Sequence, residues 1–313
     1  MKNIYKNSFY NLNKAKKILE KNKIIAVPTE TVYGLAGNAY SHKSVKRIYN
    51  LKKRPKKNPL IVHYYNLDLL KKDAKYEKNF LKLYKKFSPG PLTYILKKRK
   101  NSKVSKFANA KLKTIAVRFP KNKVIRSLLK KLSFPLAIPS ANISTGVSPT
   151  EPLDVVDEFK NKVKFILNGG KSIIGLESTV INLSNKPRIL RPGAISNIQI
   201  GKILKKKVSN IAGSKLIVSP GMLKRHYSPG IPMKLNSIKP DYKAAFIVFG
   251  KKYKMKENMF NLSKNSNLKE AAKNLYKILR KIKKLKYKKI NVVKIPNKNI
   301  GIAINDRLKK ASK

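Results

Sequence analysis

Cysteine and tryptophan are both absent from this 313-residue chain. Without cysteine there are no disulfides, thiolate metal sites, iron–sulfur clusters or cysteine nucleophiles. No apolar run reaches the ~18–20 residues that cross a bilayer, and residues 1–10 lack the hydrophobic segment of a signal peptide. We therefore expect a soluble, cytoplasmic protein of about two domains that contacts no membrane.

Acidic residues are scarce, with 14 Asp and Glu against 74 Lys and Arg. None of them clusters in a way that would build an all-protein magnesium or calcium cage. The densest group, Asp154, Asp157 and Glu158, follows Pro152 at a predicted helix start, where acids interact favourably with the helix dipole. Three scattered histidines do not indicate a zinc site. We therefore predict no metal ligands on the protein itself.

The excess of basic residues gives a formal net charge of +60. Lys and Arg bind nucleic-acid phosphates, so RNA binding is one interpretation. However, lysines occur in nearly every segment, and the abundance of Asn and Ile is the bias of a very AT-rich genome. We attribute most of the excess to codon composition, and leave open a weak contact with tRNA. Either way, the field attracts anionic ligands towards any cleft.

Mixed strand and helix patterns predict an α/β fold. Helical spacing of apolar residues begins near Leu12, and Ser41 is a predicted N-cap of the next helix. Another helix is predicted at 125–132. The predicted strands of the first 200 residues are 24–27, 59–63, 92–96, 114–119, 136–138, 178–183 and 188–190.

Composition divides the chain into a sheet domain at 1–205, a linker at 206–240 and a small C-terminal α/β domain at 241–313. The linker loses periodicity and is rich in Pro and Gly. The last segment resembles a β–α–β unit, with strands predicted at 244–249 and 290–295 on either side of an amphipathic helix.

Polar residues interrupt the predicted strands or follow their ends, where sheet proteins bind ligands. Five such segments lie in the sheet domain and a sixth in the linker. They are 28–35 (PTETVYGL), 52–60 (with Lys52, Arg54 and Asn58), 116–120 (AVRFP), 139–150 (with Ser140, Asn142 and Ser148), 175–180 (GLESTV) and 219–229 (SPGMLKRHYSP).

Taken one by one, these residues leave alternatives open. Lys52 and Arg54 also fit two solvated charges of a lysine run, and His63 also fits a core histidine. Arg118 is harder to dismiss, because an arginine in an apolar strand is rarely buried without an anionic partner. The neighbouring sequence supplies no acid for it.

Taken together and in this order, the segments resemble the YrdC-like family. The linker and the tail, with Ala303–Leu308 as a C-terminal signature, resemble its two-domain branch, the threonylcarbamoyl-adenylate synthases. The resemblance runs from about residue 11 to 308. It implies a YrdC-like twisted mixed sheet with helices, followed by a small Rossmann-like domain.

The resemblance also implies a reaction. Members of the family are nucleotidyltransferases that condense L-threonine, bicarbonate or CO2, and ATP into threonylcarbamoyl-AMP and pyrophosphate. A downstream transferase machinery then modifies tRNA next to the anticodon. Such a reaction depends on positioning and charge stabilisation rather than on a covalent nucleophile. Magnesium would be bound through the ATP phosphates.

The family's catalytic tetrad maps onto Lys52, Arg54, Ser140 and Asn142. By the same resemblance, threonine would contact Thr31, His63, Arg118, Ile138 and Ser178. The ATP side would comprise Arg54, Asn58, Thr114, Ser140, Ser148, Arg191 and Tyr227.

Because water destroys a mixed anhydride, a segment that closes over the site is expected, and Tyr227 in the linker is placed to do this. Asn168 and Asn182 stand where the family often has Asp. Two rival functions are a related carbamoyl-adenylate chemistry, as in hydrogenase-maturation proteins, and a non-catalytic module that binds tRNA or double-stranded RNA.

Overall fold

The computed structural model describes residues 3–210, 221 and 225–313. Within these residues, the α/β expectation is confirmed. The helices are α1 (Phe9–Glu20), α2 (His42–Lys52), α3 (Leu67–Lys71), α4 (Lys78–Phe87), α5 (Lys123–Lys130), α6 (Pro152–Phe159), α7 (Asn197–Leu204), α8 (Leu268–Lys284) and α9 (Gly301–Ala311). The strands are β1 (Ile4–Tyr5), β2 (Ile25–Val27), β3 (Gly34–Asn38), β4 (Ile61–His63), β5 (Ala74–Lys75), β6 (Leu92–Lys98), β7 (Thr114–Arg118), β8 (Leu136–Ala137), β9 (Ile166–Leu167), β10 (Thr179–Asn182), β11 (Arg188–Arg191), β12 (Ser209–Asn210), β13 (Met233–Leu235), β14 (Ala245–Val248), β15 (Met259–Asn261) and β16 (Ile290–Val292).

Twelve of the described strands form one large mixed sheet, in the order β1-β9-β2-β3-β8-β4-β7-β6-β10-β11-β12, with β5 paired to β6. Side chains alternate between its two faces. On β4 and β7, Val62 and Val117 point into the main core, which α4 and α7 cover. Ile61 and Ala116 point to the other face and form a small apolar floor with β10 and β11.

Strand pairing places the ends of several strands at one edge. β4 and β7 run parallel and pair His63 with Arg118, while β7 and β6 run antiparallel and pair Arg118 with Thr93. β10 runs parallel to β6, so Ser178, directly before β10, lies at the same edge. The polar residues at these strand ends therefore share one region of the apolar floor.

Local signals explain most helix starts. The Ser41 side chain accepts a hydrogen bond from the Ser44 amide, as predicted for an N-cap. Ser196 and Gln199 form a capping box at α7. Pro152 begins α6, where it needs no amide partner.

The four-stranded sheet is parallel throughout, in the order β13-β16-β14-β15. Our two-strand prediction missed β13 and β15, which are only three residues long each, and β13 is also partly exposed. The core under α8 and α9 continues into the large sheet unit through Val32, Val147 and Leu176. The proposed division of the chain at 206–240 stays a prediction.

None of the described helices has both the length and the apolar composition needed to span a membrane.

Candidate active site

A narrow cavity of about 50 Å³ opens above the apolar floor of the large sheet. Thirteen residues line it. Seven of them were predicted for the site, three belong to the predicted polar segments without an assigned role, and three are other wall residues. The predicted ones are Thr31, Arg54, Arg118, Ile138, Ser140, Arg191 and Tyr227, the unassigned ones are Glu177, Gly221 and His226, and the others are Val32, Ile61 and Pro139. Three arginines around one small space make a strongly positive site.

The Pro139 segment reaches the cavity because Gly34 lets two strands approach closely. A Cβ at Gly34 would lie 2.2 Å from Ile138 Cγ2 and 2.8 Å from the Pro139 carbonyl oxygen. Gly34 pairs with Ser140 in an isolated bridge. The glycine of the 28–35 segment therefore brings Ser140 against the site.

Arg118 has an acidic partner that lies far away in the sequence. Its Nη2 donates to Glu30 Oε1 at 2.7 Å, and its Nε donates to the Gly90 carbonyl at 3.4 Å. Burial raises the pKa of Glu30, but the charge and hydrogen bond of Arg118 outweigh it and lower that pKa. The sequence next to Arg118 contains no acid, and this suggested that Arg118 pairs with a ligand. The structure shows that Glu30 is its partner, so that reason for expecting a ligand carboxylate does not hold. Arg118 still lines the cavity, with Glu30 fixing one end of its guanidinium.

Arg54 is held by the loop that follows it. Its Nη2 donates to Asn58 Oδ1 at 2.6 Å and to the Pro59 carbonyl at 2.8 Å, while Nε donates to the Asn58 carbonyl. Burial lowers the pKa of Arg54 to about 10. Asn58 itself is buried and leaves its Nδ2 without a partner among the described residues. Asn58 thus contacts Arg54 and does not line the cavity.

Lys52 is buried beneath the cavity wall. Its Nζ donates to the carbonyl oxygens of Ser140 at 2.6 Å and Asn142 at 2.5 Å. Burial and the charge of Arg54 lower the pKa of Lys52 well below 10.5. The charged form of Lys52 has three donors, and these two carbonyl oxygens take two of them. Three of the predicted tetrad, Lys52, Ser140 and Asn142, therefore form one contact network, and Asn142 Oδ1 is unpartnered among the described residues. Arg54 acts on Lys52 only through its charge.

Ser178 supports the third arginine. Arg191 donates from Nε to the Ser178 carbonyl and from Nη2 to Ser178 Oγ, both at 3.0 Å. Ser178 Oγ also lies 2.7 Å from Thr93 Oγ1. The hydroxyl predicted to contact threonine is thus occupied by neighbouring side chains, and Ser178 does not line the cavity.

His63 and Thr114 are not among the residues that line the cavity. His63 is buried, and its Nε2 has no partner among the described residues. Burial and the charge of Arg118 lower its pKa well below 6.5. Thr114 stands at the amino end of β7, two alternations from Arg118 and on the same face. It lies at the end of the sheet where Asn58 leads into β4.

Tyr227, in the predicted linker, forms part of the cavity wall. Its side chain is buried, its Oη has no partner among the described residues, and burial raises its pKa to about 12. The Ser228 amide donates to the Thr145 carbonyl, which anchors this stretch to the large sheet unit. Residues 219, 220 and 222–224 of the predicted linker motif lie outside the described residues.

Glu177 is the functional candidate that sequence reasoning missed. Its Oε1 accepts from Ser148 Oγ at 2.6 Å, and its Oε2 accepts from Tyr276 Oη and Arg307 Nε at 2.8 Å each. Burial raises its pKa, but Arg307 and Arg191 outweigh this and hold the pKa at about 2. Ser148 therefore contacts Glu177 rather than the cavity. The available signal was an acid inside the 175–180 segment of a chain with few acids.

Among the described residues, no group of three or more His, Asp or Glu side chains is arranged to hold a metal ion.

Two family models match consecutive stretches of the sequence. One, described as telomere recombination, matches residues 17–193, and the other, described as the C-terminal domain of threonylcarbamoyl-AMP synthase, matches residues 195–313. A threonylcarbamoyl-AMP synthase of Pyrococcus abyssi is 34% identical over 94% of this chain and 92% of its own length. The chain belongs to the threonylcarbamoyl-AMP synthase family.

Another synthase of this name, from Bacillus subtilis, is 33% identical over 94% of this chain and 91% of its own length. The crystal structure of P. abyssi Sua5 complexed with L-threonine superposes with a TM-score of 0.89 at 32% identity, covering 99% of this chain and 97% of that one. The twisted mixed sheet and the C-terminal α/β unit of this chain match that Sua5 structure over nearly the whole chain. Family membership supports a nucleotidyltransferase and favours catalysis over a non-catalytic RNA-binding module.

Proposed function

We propose that this chain is a threonylcarbamoyl-AMP synthase that condenses L-threonine, bicarbonate or CO2, and ATP into threonylcarbamoyl-AMP and pyrophosphate. The observation that carries the proposal is the convergence of Arg54, Arg118 and Arg191 on one cavity. The two organic substrates bring a carboxylate and a triphosphate, and fixed guanidiniums suit both.

Arg118 is the proposed contact of the threonine carboxylate. Among the described residues its Nη1 makes no hydrogen bond, while Glu30 and Gly90 hold Nη2 and Nε. Thr31 and Ile138 line the same cavity and are proposed to contact the side chain of threonine. His63 pairs with Arg118 across β4 and β7 and is proposed to act on this side through it. Ser178 is proposed to act through Arg191, which it helps to hold at the cavity wall.

The triphosphate is assigned to the side of Arg54 and Arg191. Ser140 lines the cavity there, and Lys52 lies directly behind Ser140. The carboxylate of carboxylated threonine would attack the α-phosphate, and pyrophosphate would leave. Positive charge held in place lowers the cost of the charge that develops on the leaving group. Asn142, Asn58, Thr114 and Ser148 are proposed to support ATP binding.

Magnesium is proposed to enter with ATP. Most of its ligands would then be phosphate oxygens and water. The few acids near the site are consistent with this, because Glu30 and Glu177 are already engaged by Arg118 and Arg307.

The cavity is much smaller than the several hundred Å³ usual for a site that holds a cofactor-sized ligand. Gly221, His226 and Tyr227 of the linker form part of its wall. We infer that these residues move to admit ATP and then exclude water from the mixed anhydride. Cytoplasmic location and transfer of the product to a tRNA-modifying partner are parts of the same proposal.

The function is tested by incubating the protein with ATP, magnesium, bicarbonate and single amino acids. We expect pyrophosphate release and an adenylate of the mass of threonylcarbamoyl-AMP with threonine. With serine, which lacks one methyl group, kcat/KM should be about 10–200-fold lower than with threonine. Valine should be rejected because it cannot make the hydrogen bond of the threonine hydroxyl. Salt-sensitive RNA binding without turnover would instead support the RNA-binding module.

A further inference from the structure

The small sheet unit contacts the active-site wall through one buried arginine. Arg307 on α9 is 1% exposed and donates from Nε to Glu177 at 2.8 Å. Its Nη2 donates to the Pro192 carbonyl at 3.0 Å, and its Nη1 donates to Asp306 at 2.6 Å. The guanidinium carbon lies 4.8 Å from the centre of the Tyr227 ring. All three nitrogens of the guanidinium group are therefore engaged.

Three of these four contacts, all but the one to Asp306, end at a residue of the cavity wall or beside one. Glu177 and Tyr227 line the cavity, and Pro192 directly follows Arg191, which also lines it. A guanidinium above a tyrosine ring is attracted to the ring face. From α9 of the small sheet unit, Arg307 thus contacts Glu177, the Tyr227 ring and the turn that follows Arg191.

Two neighbours of Arg307 strengthen this arrangement. Tyr276 on α8 donates to Glu177 and stacks on Tyr227, with ring centres 6.0 Å apart. Lys310 lies one turn further along α9. Its Nζ donates to the Gly221 carbonyl at 2.9 Å, and its backbone carbonyl oxygen accepts a hydrogen bond from the His226 amide at 3.1 Å. Two cavity-lining residues of the predicted linker, Gly221 and His226, are therefore both hydrogen-bonded to Lys310 on α9.

We propose that Arg307 is a positioning residue for the ATP side of the synthase site. It sets the places of Tyr227 and of the Arg191 turn relative to Glu177, so that the C-terminal unit completes the site without touching the reacting atoms. The inference rests on the proposed function. Because Arg118 is held separately by Glu30, threonine binding does not depend on Arg307.

The test compares Arg307→Met, Arg307→Lys and Arg280→Met. Arg280 on α8 also bridges the two units, through the Val147 carbonyl and Glu158. None of its hydrogen bonds or ion pairs among the described residues reaches a cavity-lining residue. Met keeps the apolar stem and removes the charge in both cases. Thermal unfolding and circular dichroism verify folding, and kinetics give KM for ATP and for threonine.

For Arg307→Met we expect KM for ATP to rise at least about tenfold, equivalent to about 1.4 kcal/mol. KM for threonine should stay within about twofold of the wild-type value, and Arg307→Lys should recover part of the loss because the charge on Glu177 is again matched. Arg280→Met should lower the unfolding temperature and leave both KM values within about twofold.

The proposal is overturned if Arg307→Met and Arg280→Met have the same KM for ATP, or if both substrates are weakened in parallel. Should Arg307→Met fail to fold, Tyr276→Phe removes a single hydroxyl from Glu177 and must still weaken ATP more than threonine. Titration calorimetry with a non-hydrolysable ATP analogue repeats the comparison without turnover. If the wild type makes no adenylate, the proposed function fails, and the calorimetric comparison still decides the role of Arg307.

Discussion

Arg118 shows how a single residue depends on a distant partner. Glu30 orients its guanidinium from 88 positions away, so the arginine is held before any ligand binds. Holding a binding group in place reduces the entropy that a ligand must lose. The same contact means that removing Arg118 leaves Glu30 buried without its cation.

We predict that Arg118→Ala loses threonine-dependent turnover more than ATP binding. A charge-assisted contact contributes about 1.5–3 kcal/mol, so kcat/KM for threonine should fall about 10–100-fold or more. Binding of an ATP analogue, measured by calorimetry, should change little. Equal losses for both ligands would contradict the assignment to threonine, and Glu30→Gln serves as the control that keeps Arg118 but removes its ionic partner.

Lys52 gives a second prediction at this scale. Its pKa is well below 10.5 because it is buried near Arg54, and a phosphate brought next to it favours the charged form. ATP binding at alkaline pH should therefore take up a proton. Calorimetry in buffers of different ionisation enthalpy measures the uptake, which should disappear in Lys52→Met together with most of the turnover. Near-normal turnover of this variant would remove Lys52 from the site.

Ion pairs between α6 and α8 join the C-terminal unit to the large sheet unit. The prediction that Asp157 and Glu158 serve a helix start is wrong, because both lie in the last turn of α6 and bind α8. Glu158 pairs with Arg280 at 3.1 Å, and Asp157 pairs with Lys284 at 2.5 Å. A chain with 14 acids thus uses several of them to join its two sheet units.

Close packing of α8 leads to a prediction about Gly175. A Cβ there would lie 2.6 Å from Lys273 Cα and 2.9 Å from the Ala272 carbonyl, at a φ of +78°. Gly175→Ala should therefore push α8 away and lower the unfolding free energy by about 2–4 kcal/mol, as overpacking and strain together do. Gly170→Ala is the matched control, because Gly170 has φ +69° and nothing within 4 Å. Similar unfolding temperatures for the two variants would refute this account of the interface.

Tyr227 in the predicted linker gives a further prediction. Tyr227 separates the cavity from the second unit, and water must be excluded from a mixed anhydride. Tyr227→Ala should increase the fraction of adenylate that is hydrolysed, measured as the ratio of intact product to released pyrophosphate. An unchanged ratio would exclude Tyr227 as the closing residue.

For the whole molecule, buried neutral histidines predict a loss of stability in mild acid. Burial lowers the pKa of His226 to about 3, and that of His63 also lies well below 6.5. Below pH 6.5 the unfolded chain therefore binds protons that the folded chain does not, and the unfolding free energy falls as pH falls, by up to about 1.4 kcal/mol per pH unit for each histidine.

Denaturant unfolding at several pH values measures this slope. His226→Asn should remove about half of it above the carboxylate range, since His63 remains. Glu177 adds a loss of the same sign at lower pH, because its folded pKa of about 2 lies below its usual 4.5. A slope unaffected by His226→Asn would contradict the buried, neutral state of this histidine.

Much of the protein was predictable from the order of its residues. Apolar periodicity placed α1, α5, α8 and most central strands, because these segments bury one side along a regular period. β3 was missed because it lies in a glycine-containing stretch without alternation. The motif residues were also found by sequence, and most of them line the cavity or contact its wall.

The sequence by itself determined the family, the alternation that puts Ala116 and Arg118 on one face of their strand, and the choice of residues that can bind a carboxylate and phosphates. Only the tertiary structure decided which partners those residues have: Glu30 for Arg118, Ser178 for Arg191, and Arg307 for Glu177. The reason is physical. Periodicity depends on neighbours a few positions apart, whereas buried charges pair across the whole chain, and their partners are fixed only when the two sheets pack together.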